Sequence, residues 1–141
     1  MKEIFIDSDI ILDLLARREP FYHHAAKLFS YIEKGKLRAY ISPVIFANIY
    51  YILSRIKNKE FARNSLRKLK LLVKILPVDE KIIDLAMASD LKDFEDAIQY
   101  YVALENDIHF ILTRNKKDYK NADITALTAE EYLNTIKDSL K

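Results

Sequence analysis

The stretch Glu3-Ile4-Phe5-Ile6-Asp7 decides the fold that this sequence predicts. Its three consecutive apolar residues predict a short buried strand, and Asp7 stands at the carboxyl end of that strand. Burying an aspartate at the end of an apolar strand is costly unless the carboxylate has a partner or faces a cleft. We therefore expect Asp7 to belong to a functional site.

Short apolar runs and helical patterns alternate along the rest of the chain. Further strands are predicted at residues 38–41, 74–78, 109–113 and 124–127. Helices are predicted near residues 10–17, 21–34, 44–56, 62–73, 80–89, 93–106 and from Thr128 onward. Ser8 or Asp9 is expected to cap the first of these helices and Ser42 the third, and Thr128-Ala129-Glu130-Glu131 has the capping-box pattern. Pro77 indicates that the third strand lies at a sheet edge. The alternation predicts an α/β fold: a three-layer sandwich with a short, mostly parallel central sheet of four to five strands, covered by about six or seven helices.

The composition limits the class of protein. The 141 residues fit one domain, residues 1–141, and the absence of cysteine excludes disulfides and thiolate metal sites. The apolar run at the N-terminus is too short for a membrane span. The net charge is only +2, so any affinity for nucleic acid depends on local clusters of basic residues. We expect a cytoplasmic protein that does not contact membranes.

Several polar side chains lie in the segments that are expected to converge at the carboxyl edge of the predicted sheet. Asp7 ends the first strand, and four further polar residues flank the strand at 109–113, namely Asp93, Asp96, Asn115 and Asp118. Ligands of open α/β sheets gather at this edge because several loops converge there. An oxygen-only cluster suits Mg²⁺ or Mn²⁺, bound as one ion or as two. The sequence therefore predicts a metal site that acts on phosphates.

Several polar residues also have a structural explanation. Asp93 and Asp96 stand where a helix begins, and aspartates stabilise helix starts without any further function. Asn48 lies among apolar helical neighbours, so it is either a satisfied core asparagine or a polar group that faces a pocket. We expect Asp9 and Asp13 to be a helix cap and a solvent-exposed group.

Two clusters of basic residues are candidate RNA contacts. One follows helical spacing along Arg63, Arg67, Lys70 and Lys74, and the other surrounds Asn115 as Arg114, Lys116, Lys117 and Lys120. The first stripe is equally explained as a solvated helix face. Tyr50 and Tyr51 are suited to stacking on bases, but buried packing is the expectation for both.

Four stretches together resemble the PIN domain family, which includes the ribonuclease toxins of bacterial toxin–antitoxin pairs. They are Phe5-Ile6-Asp7-Ser8-Asp9-Ile10-Ile11-Leu12-Asp13, Ile41-Ser42-Pro43-Val44-Ile45, Asp93-Phe94-Glu95-Asp96-Ala97-Ile98-Gln99 and Thr113-Arg114-Asn115-Lys116-Lys117-Asp118-Tyr119. The stretch from Ile124 to Leu133 also matches the usual end of the family. The resemblance covers nearly the whole chain and implies a PIN-like sandwich.

The resemblance also implies roles for individual residues. Asp7 and Asp96 match metal-binding acids of the family, with Asp93 and Asp118 as supporting catalytic carboxylates. Thr113 and Asn115 match positions that orient the metal site. The chain departs from the family at Asn48, where glutamate is usual, and at Asn115, where aspartate is common. Each departure removes one negative charge.

These observations predict a metal-dependent endoribonuclease that uses Mg²⁺ or Mn²⁺, and the resemblance implies the role of the toxin in a toxin–antitoxin pair. Its expected partners are RNA, a small antitoxin and a second copy of the chain, because the long apolar helices favour a homodimer. One alternative is a PIN-like module that binds RNA or protein without cutting. Another is a haloacid-dehalogenase-like phosphatase with Asp7 as nucleophile, although no glycine-rich phosphate loop follows.

Overall fold

Five parallel strands form the central sheet. The computed structural model describes residues 2–120 and 122–138. Its strands are β1 (Lys2–Ile6), β2 (Leu37–Ile41), β3 (Val73–Ile75), β4 (Phe110–Leu112) and β5 (Thr125–Leu127). They are arranged in the order β3-β2-β1-β4-β5, and every neighbouring pair is parallel. β3 is an edge strand, as Pro77 indicated.

Seven α-helices accompany the sheet in the described part of the chain. They are α1 (Ser8–Leu15), α2 (Tyr22–Glu33), α3 (Pro43–Ile56), α4 (Lys59–Leu72), α5 (Glu80–Met87), α6 (Phe94–Glu105) and α7 (Ala129–Ile136). The expected α/β architecture is thereby confirmed. A short 3-10 helix (Lys116–Tyr119) follows β4 and was not predicted. Among residues 2–120 and 122–138, no helix is long and apolar enough to cross a membrane.

Local sequence explains where most helices begin and end. The side chains of Ser42 and Asp79 accept hydrogen bonds from amides in the first turns of α3 and α5. Thr128 and Glu131 form the predicted capping box of α7. Gly35 follows α2 with a positive φ of 76°, a conformation that other residues adopt only at a cost.

The central position of β1 brings Asp7 to the middle of the sheet edge. Ile4, Phe5 and Ile6 are all 0% exposed, because β1 is covered on both faces and paired on both sides. The Asp7 amide donates to the carbonyl oxygen of Leu112 at 2.9 Å, so the ends of β1 and β4 lie level. Asp7 therefore follows its strand beside the loop that leaves β4.

Asp13 and Arg114 join α1 to that loop. The Asp13 side chain is 1% exposed, and both of its oxygens accept hydrogen bonds from the Arg114 guanidinium, at 3.0 and 3.1 Å. The guanidinium carbon also lies 3.9 Å from the centre of the Phe21 ring. The expectation that Asp13 faces solvent was wrong, because this face of α1 packs against the loop after β4. The geometry is that of a bidentate arginine–carboxylate pair.

Replacing Arg114 with methionine should lower the free energy of unfolding by about 3 kcal/mol, because it leaves the Asp13 carboxylate buried without its partner. Urea denaturation at pH 7 measures the change. The matched control is Arg55→Met, at an exposed position of α3, which should change stability by less than about 0.5 kcal/mol. Adding Asp13→Asn to the Arg114 variant should recover part of the loss. A loss below about 1 kcal/mol for Arg114→Met would contradict the structural role of the pair.

Candidate functional site

An acidic cavity of about 540 Å³ opens at the carboxyl ends of β1 and β4. Six carboxylates line it, against a single arginine, Arg18. The carboxylates are those of Asp7, Asp9, Asp93, Glu95, Asp96 and Asp118. Asn48 and Asn115 line the same cavity. The structure thus brings together the four predicted catalytic acids and both predicted asparagines.

Asp7 is held on both carboxylate oxygens. One oxygen accepts from the Ser8 amide at 2.8 Å, so Asp7 itself caps α1, in place of the predicted Ser8 or Asp9. The other accepts from the Thr113 hydroxyl at 3.0 Å. Burial raises the pKa of Asp7 to about 6, and repulsion from Asp9 and Asp118 adds to the increase. The carboxylate is therefore well oriented and poorly neutralised.

Asp96 lies opposite, in the first turn of α6. Its amide donates to Oδ1 of Asp93, which caps the helix, and its carboxylate accepts from the Tyr119 hydroxyl at 3.2 Å. The pKa of Asp96 is raised to about 7, first by burial and then by the charges of Asp7, Asp93 and Asp118. Tyr119 is 2% exposed and was missed as a site residue. Its place directly after Asp118 was the available signal.

Asp9 is a partly buried member of the cavity wall. Its Oδ2 accepts from the Arg114 backbone amide at 2.9 Å, while its buried Oδ1 has no hydrogen-bond partner among the residues that the structure describes. The expectation of a simple helix cap or solvent-exposed group was therefore wrong. Burial raises the pKa of Asp9, and the hydrogen bond from Arg114 opposes that increase. Thr113 also belongs to this wall. Its hydroxyl oxygen accepts a hydrogen bond from the backbone amide of Asn115 at 3.1 Å.

Asn48 faces the cavity, which resolves the question that the sequence left open. From α3, its side-chain amide donates to Oε2 of Glu95 on α6 at 3.1 Å. Glu95 was not predicted as a site residue. It sits inside the quoted Asp93–Gln99 stretch, but a glutamate in the first turn of a helix has an ordinary structural explanation.

The donor set of this cavity fits a hard divalent cation. All its acidic side chains offer oxygen donors, the pKa values of Asp7 and Asp96 are raised by burial and then by neighbouring acids, and one buried Asp9 oxygen has no hydrogen-bond partner among the described residues. Among residues 2–120 and 122–138, no three histidine or acidic side chains already converge as a metal cage. Mg²⁺ needs no such cage, because it keeps several waters and binds through one or two carboxylates.

A sequence profile of the PIN domain matches residues 3–117. The chain belongs to the PIN domain family. This membership argues against the alternative of a haloacid-dehalogenase-like phosphatase. Ribonuclease VapC1 of Aquifex aeolicus (strain VF5) is 27% identical over 136 residues, which cover 93% of each chain.

Solved PIN structures share this fold at low sequence identity. VapC20 of Mycobacterium tuberculosis, described as a toxin that cleaves the sarcin–ricin loop, superposes with a TM-score of 0.70 at 16% identity, covering 84% of this chain and 95% of that one. VapBC-1 of nontypeable Haemophilus influenzae gives a TM-score of 0.69 at 18% identity, covering 91% and 98%. These similarities confirm the predicted sandwich.

Two further cavities adjoin the acidic cavity of this PIN domain. One, of about 690 Å³ between α3 and α4, shares Tyr51 with it and is lined by Arg63, Arg67 and Lys70. Another, of about 730 Å³, shares Asp93 and Asp118 with it and is lined by Lys92, Lys117 and Lys120. Tyr51 is 64% exposed, so the expectation that it is buried was wrong. The basic stripe of α4 thus borders the acidic cavity.

Two predicted RNA contacts are held by carboxylates of the protein. The Arg114 guanidinium binds Asp13, and Nζ of Lys116 lies 2.8 Å from Oε2 of Glu131. The Arg114 guanidinium therefore serves the fold through its pair with Asp13. The Lys116 pair is exposed on both sides and weak, so a phosphate can replace Glu131.

Asp96→Asn should make the metal-free protein more stable at high pH. An aspartate whose folded pKa is about 7 instead of 3.8 favours folding below pH 4 and loses that contribution as the pH rises through 7. In EDTA, the Tm of the wild type should fall from pH 5 to pH 8 more steeply than that of Asp96→Asn. Asp84→Asn, at an exposed site on α5, is the control and should follow the wild type. Parallel curves of Tm against pH for all three proteins would show that folding does not raise the pKa of Asp96.

Proposed function

We propose that this PIN domain is an endoribonuclease that hydrolyses RNA with Mg²⁺ or Mn²⁺ held by Asp7 and Asp96. The acidic cavity carries this proposal, because it gathers carboxylates from β1, α6 and the loop after β4 at one edge of the sheet. Burial first, and then the charges of neighbouring acids, raises the pKa of Asp7 and of Asp96, which is expected of carboxylates without a counter-charge. A divalent cation supplies that charge. The relative named a ribonuclease supports the same activity.

Each protein group near the proposed ion has a definable task. When bound, the cation supplies an activated water and neutralises charge on the phosphate oxygens. Asp7 is oriented for this by the Ser8 amide and the Thr113 hydroxyl. Asp96 is oriented by Tyr119.

The remaining polar groups support these two acids. Asp93 and Asp118 raise the negative potential that attracts the cation, as their effect on the pKa of Asp96 indicates. The backbone amide of Asn115 donates a hydrogen bond to the Thr113 hydroxyl, which keeps that hydroxyl beside Asp7. We therefore assign Asp93 and Asp118 as supporting catalytic carboxylates and Asn115 as a positioning residue.

The two flanking cavities support RNA as the substrate. Arg63, Arg67 and Lys70 line one cavity that adjoins the acids, and Lys92, Lys117 and Lys120 line another, together with Asp90, Asp93 and Asp118. A single strand bound along both cavities brings its backbone to the acids that they adjoin. The exposed ring of Tyr51, at the junction of two cavities, offers a face on which a base can stack.

Protein partners are part of the proposal. Similar structures include a toxin–antitoxin complex from Klebsiella pneumoniae, with a TM-score of 0.67 at 19% identity, covering 89% of this chain and 97% of that one. We propose an antitoxin as a partner and the cytoplasm as the location. A homodimer stays a prediction, supported by the exposed apolar side chains of Ile56, Leu71 and Met87.

One observation favours the alternative of a binding module. Asn48 stands where the family usually has an acid, and the acids do not already converge as a metal cage within residues 2–120 and 122–138. A protein that binds RNA without cutting it needs the basic cavities but not the carboxylates. The two functions therefore differ in which residues matter.

Cleavage of a mixed RNA pool by the purified protein in Mg²⁺ or Mn²⁺ tests the proposed function. We expect metal-dependent cleavage that falls at least about 100-fold in Asp7→Asn and Asp96→Asn, because the cation supplies several kcal/mol of transition-state stabilisation. Asp84→Asn, outside the cavity, should cleave like the wild type.

The double variant Arg63→Glu/Arg67→Glu should raise KM about tenfold with kcat unchanged. The control variant Lys27→Glu/Lys34→Glu, outside these cavities, should leave KM unchanged.

A different result selects the binding module. In that case the wild type and the Asp96→Asn variant give equal or absent cleavage, while RNA binding without metal is still lost in the Arg63→Glu/Arg67→Glu variant. Absence of both cleavage and RNA binding would contradict both functions.

A further inference from the structure

The contact between Asn48 and Glu95 joins the two helices that face each other across the acidic cavity. Asn48 lies on α3 and donates its side-chain amide to Oε2 of Glu95 at 3.1 Å. Glu95 lies in the first turn of α6, one residue before Asp96, and both residues line the cavity. The Glu95 carboxylate of α6 thus lies beside the Asn48 side chain in the lining of the cavity.

The chemistry of the two side chains differs in one respect that matters for a cation. The amide of Asn48 is neutral and uses its N–H group to hold Glu95, whereas the Glu95 carboxylate keeps a negative charge and an oxygen, Oε1, that accepts no hydrogen bond from the described residues. Divalent cations prefer carboxylate oxygens to amide oxygens when both are available. Glu95 is therefore the better ligand of the pair.

We propose that Glu95, positioned by Asn48, is the third carboxylate of the metal site and replaces the acid that the chain lacks at position 48. The proposal rests on the proposed cation between Asp7 and Asp96. It assigns Asn48 as a positioning residue for a ligand and not as a ligand itself. The charge that position 48 has lost is supplied from the opposite wall of the cavity.

A purely structural role for Glu95 gives different expectations. An acid in the first turn of α6 stabilises that helix through its dipole, and an exposed hydrogen bond adds little. Such a role changes stability by a few tenths of a kcal/mol and leaves metal affinity unchanged. Metal affinity therefore separates the two explanations, and it is measured without reference to cleavage.

The test is the affinity of the full chain for Mn²⁺, measured from the electron paramagnetic resonance signal of the free ion. Glu95→Gln should weaken Mn²⁺ binding about tenfold, because the site loses one carboxylate. The exchange variant Asn48→Glu/Glu95→Gln returns that carboxylate to α3 and keeps an amide opposite it. Its affinity should lie within about threefold of the wild type. Glu80→Gln, an acid in the first turn of α5 outside the cavity, is the matched control and should have no effect.

Three outcomes overturn the proposal. Glu95→Gln with wild-type affinity would leave Glu95 as a surface residue, and the metal site at Asp7 and Asp96 would stand alone if Asp96→Asn still abolishes binding. Failure of the exchange variant to recover affinity, while it remains folded by circular dichroism, would show that the carboxylate is not interchangeable between the helices. No Mn²⁺ binding by the wild type at millimolar metal would overturn both this inference and the proposed metal-dependent activity.

Discussion

The contact of Thr113 and Arg114 with the acids of the β1–α1 segment is the interaction on which the site depends. Thr113 binds Asp7, the Arg114 amide binds Asp9, and the Arg114 guanidinium binds Asp13. These bonds join two neighbouring parallel strands at their carboxyl ends. The cavity therefore has one fixed wall, built from residues whose burial would otherwise oppose folding. The opposite wall is α6, whose Asp96 is bonded to the buried Tyr119.

The site combines good orientation with poor electrostatics. Asp7 and Asp96 are positioned by hydrogen bonds, yet burial and repulsion from neighbouring acids raise the pKa of each. Such an arrangement lowers the stability of the empty protein and increases the gain on binding a cation. Arg63, Arg67 and Lys70 line one adjoining cavity and attract phosphates toward the acids. In the other adjoining cavity, three lysines lie among Asp90, Asp93 and Asp118, so that cavity carries both signs of charge.

The sequence predicted features that depend on local chemistry. The apolar run at Ile4, the cap at Ser42 and the capping box at Thr128 each act within a few residues, and all three appear as expected. Features that depend on contacts between distant elements were not predicted. Asp13 binds Arg114, which is 101 residues away, and Asn48 binds Glu95, 47 residues away. Tyr51 was expected to be buried because its neighbours are apolar, but only packing decides which face of a helix is covered.

The central claim is that the acidic cavity holds a divalent cation between Asp7 and Asp96. Anomalous scattering from crystals soaked in Mn²⁺ tests it most directly, because the ion is located without assuming any activity. We predict a peak about 2.1–2.2 Å from carboxylate oxygens of Asp7 and Asp96, a distance typical of small hard cations. A peak elsewhere on the protein, or none in the cavity at millimolar Mn²⁺, would contradict the claim.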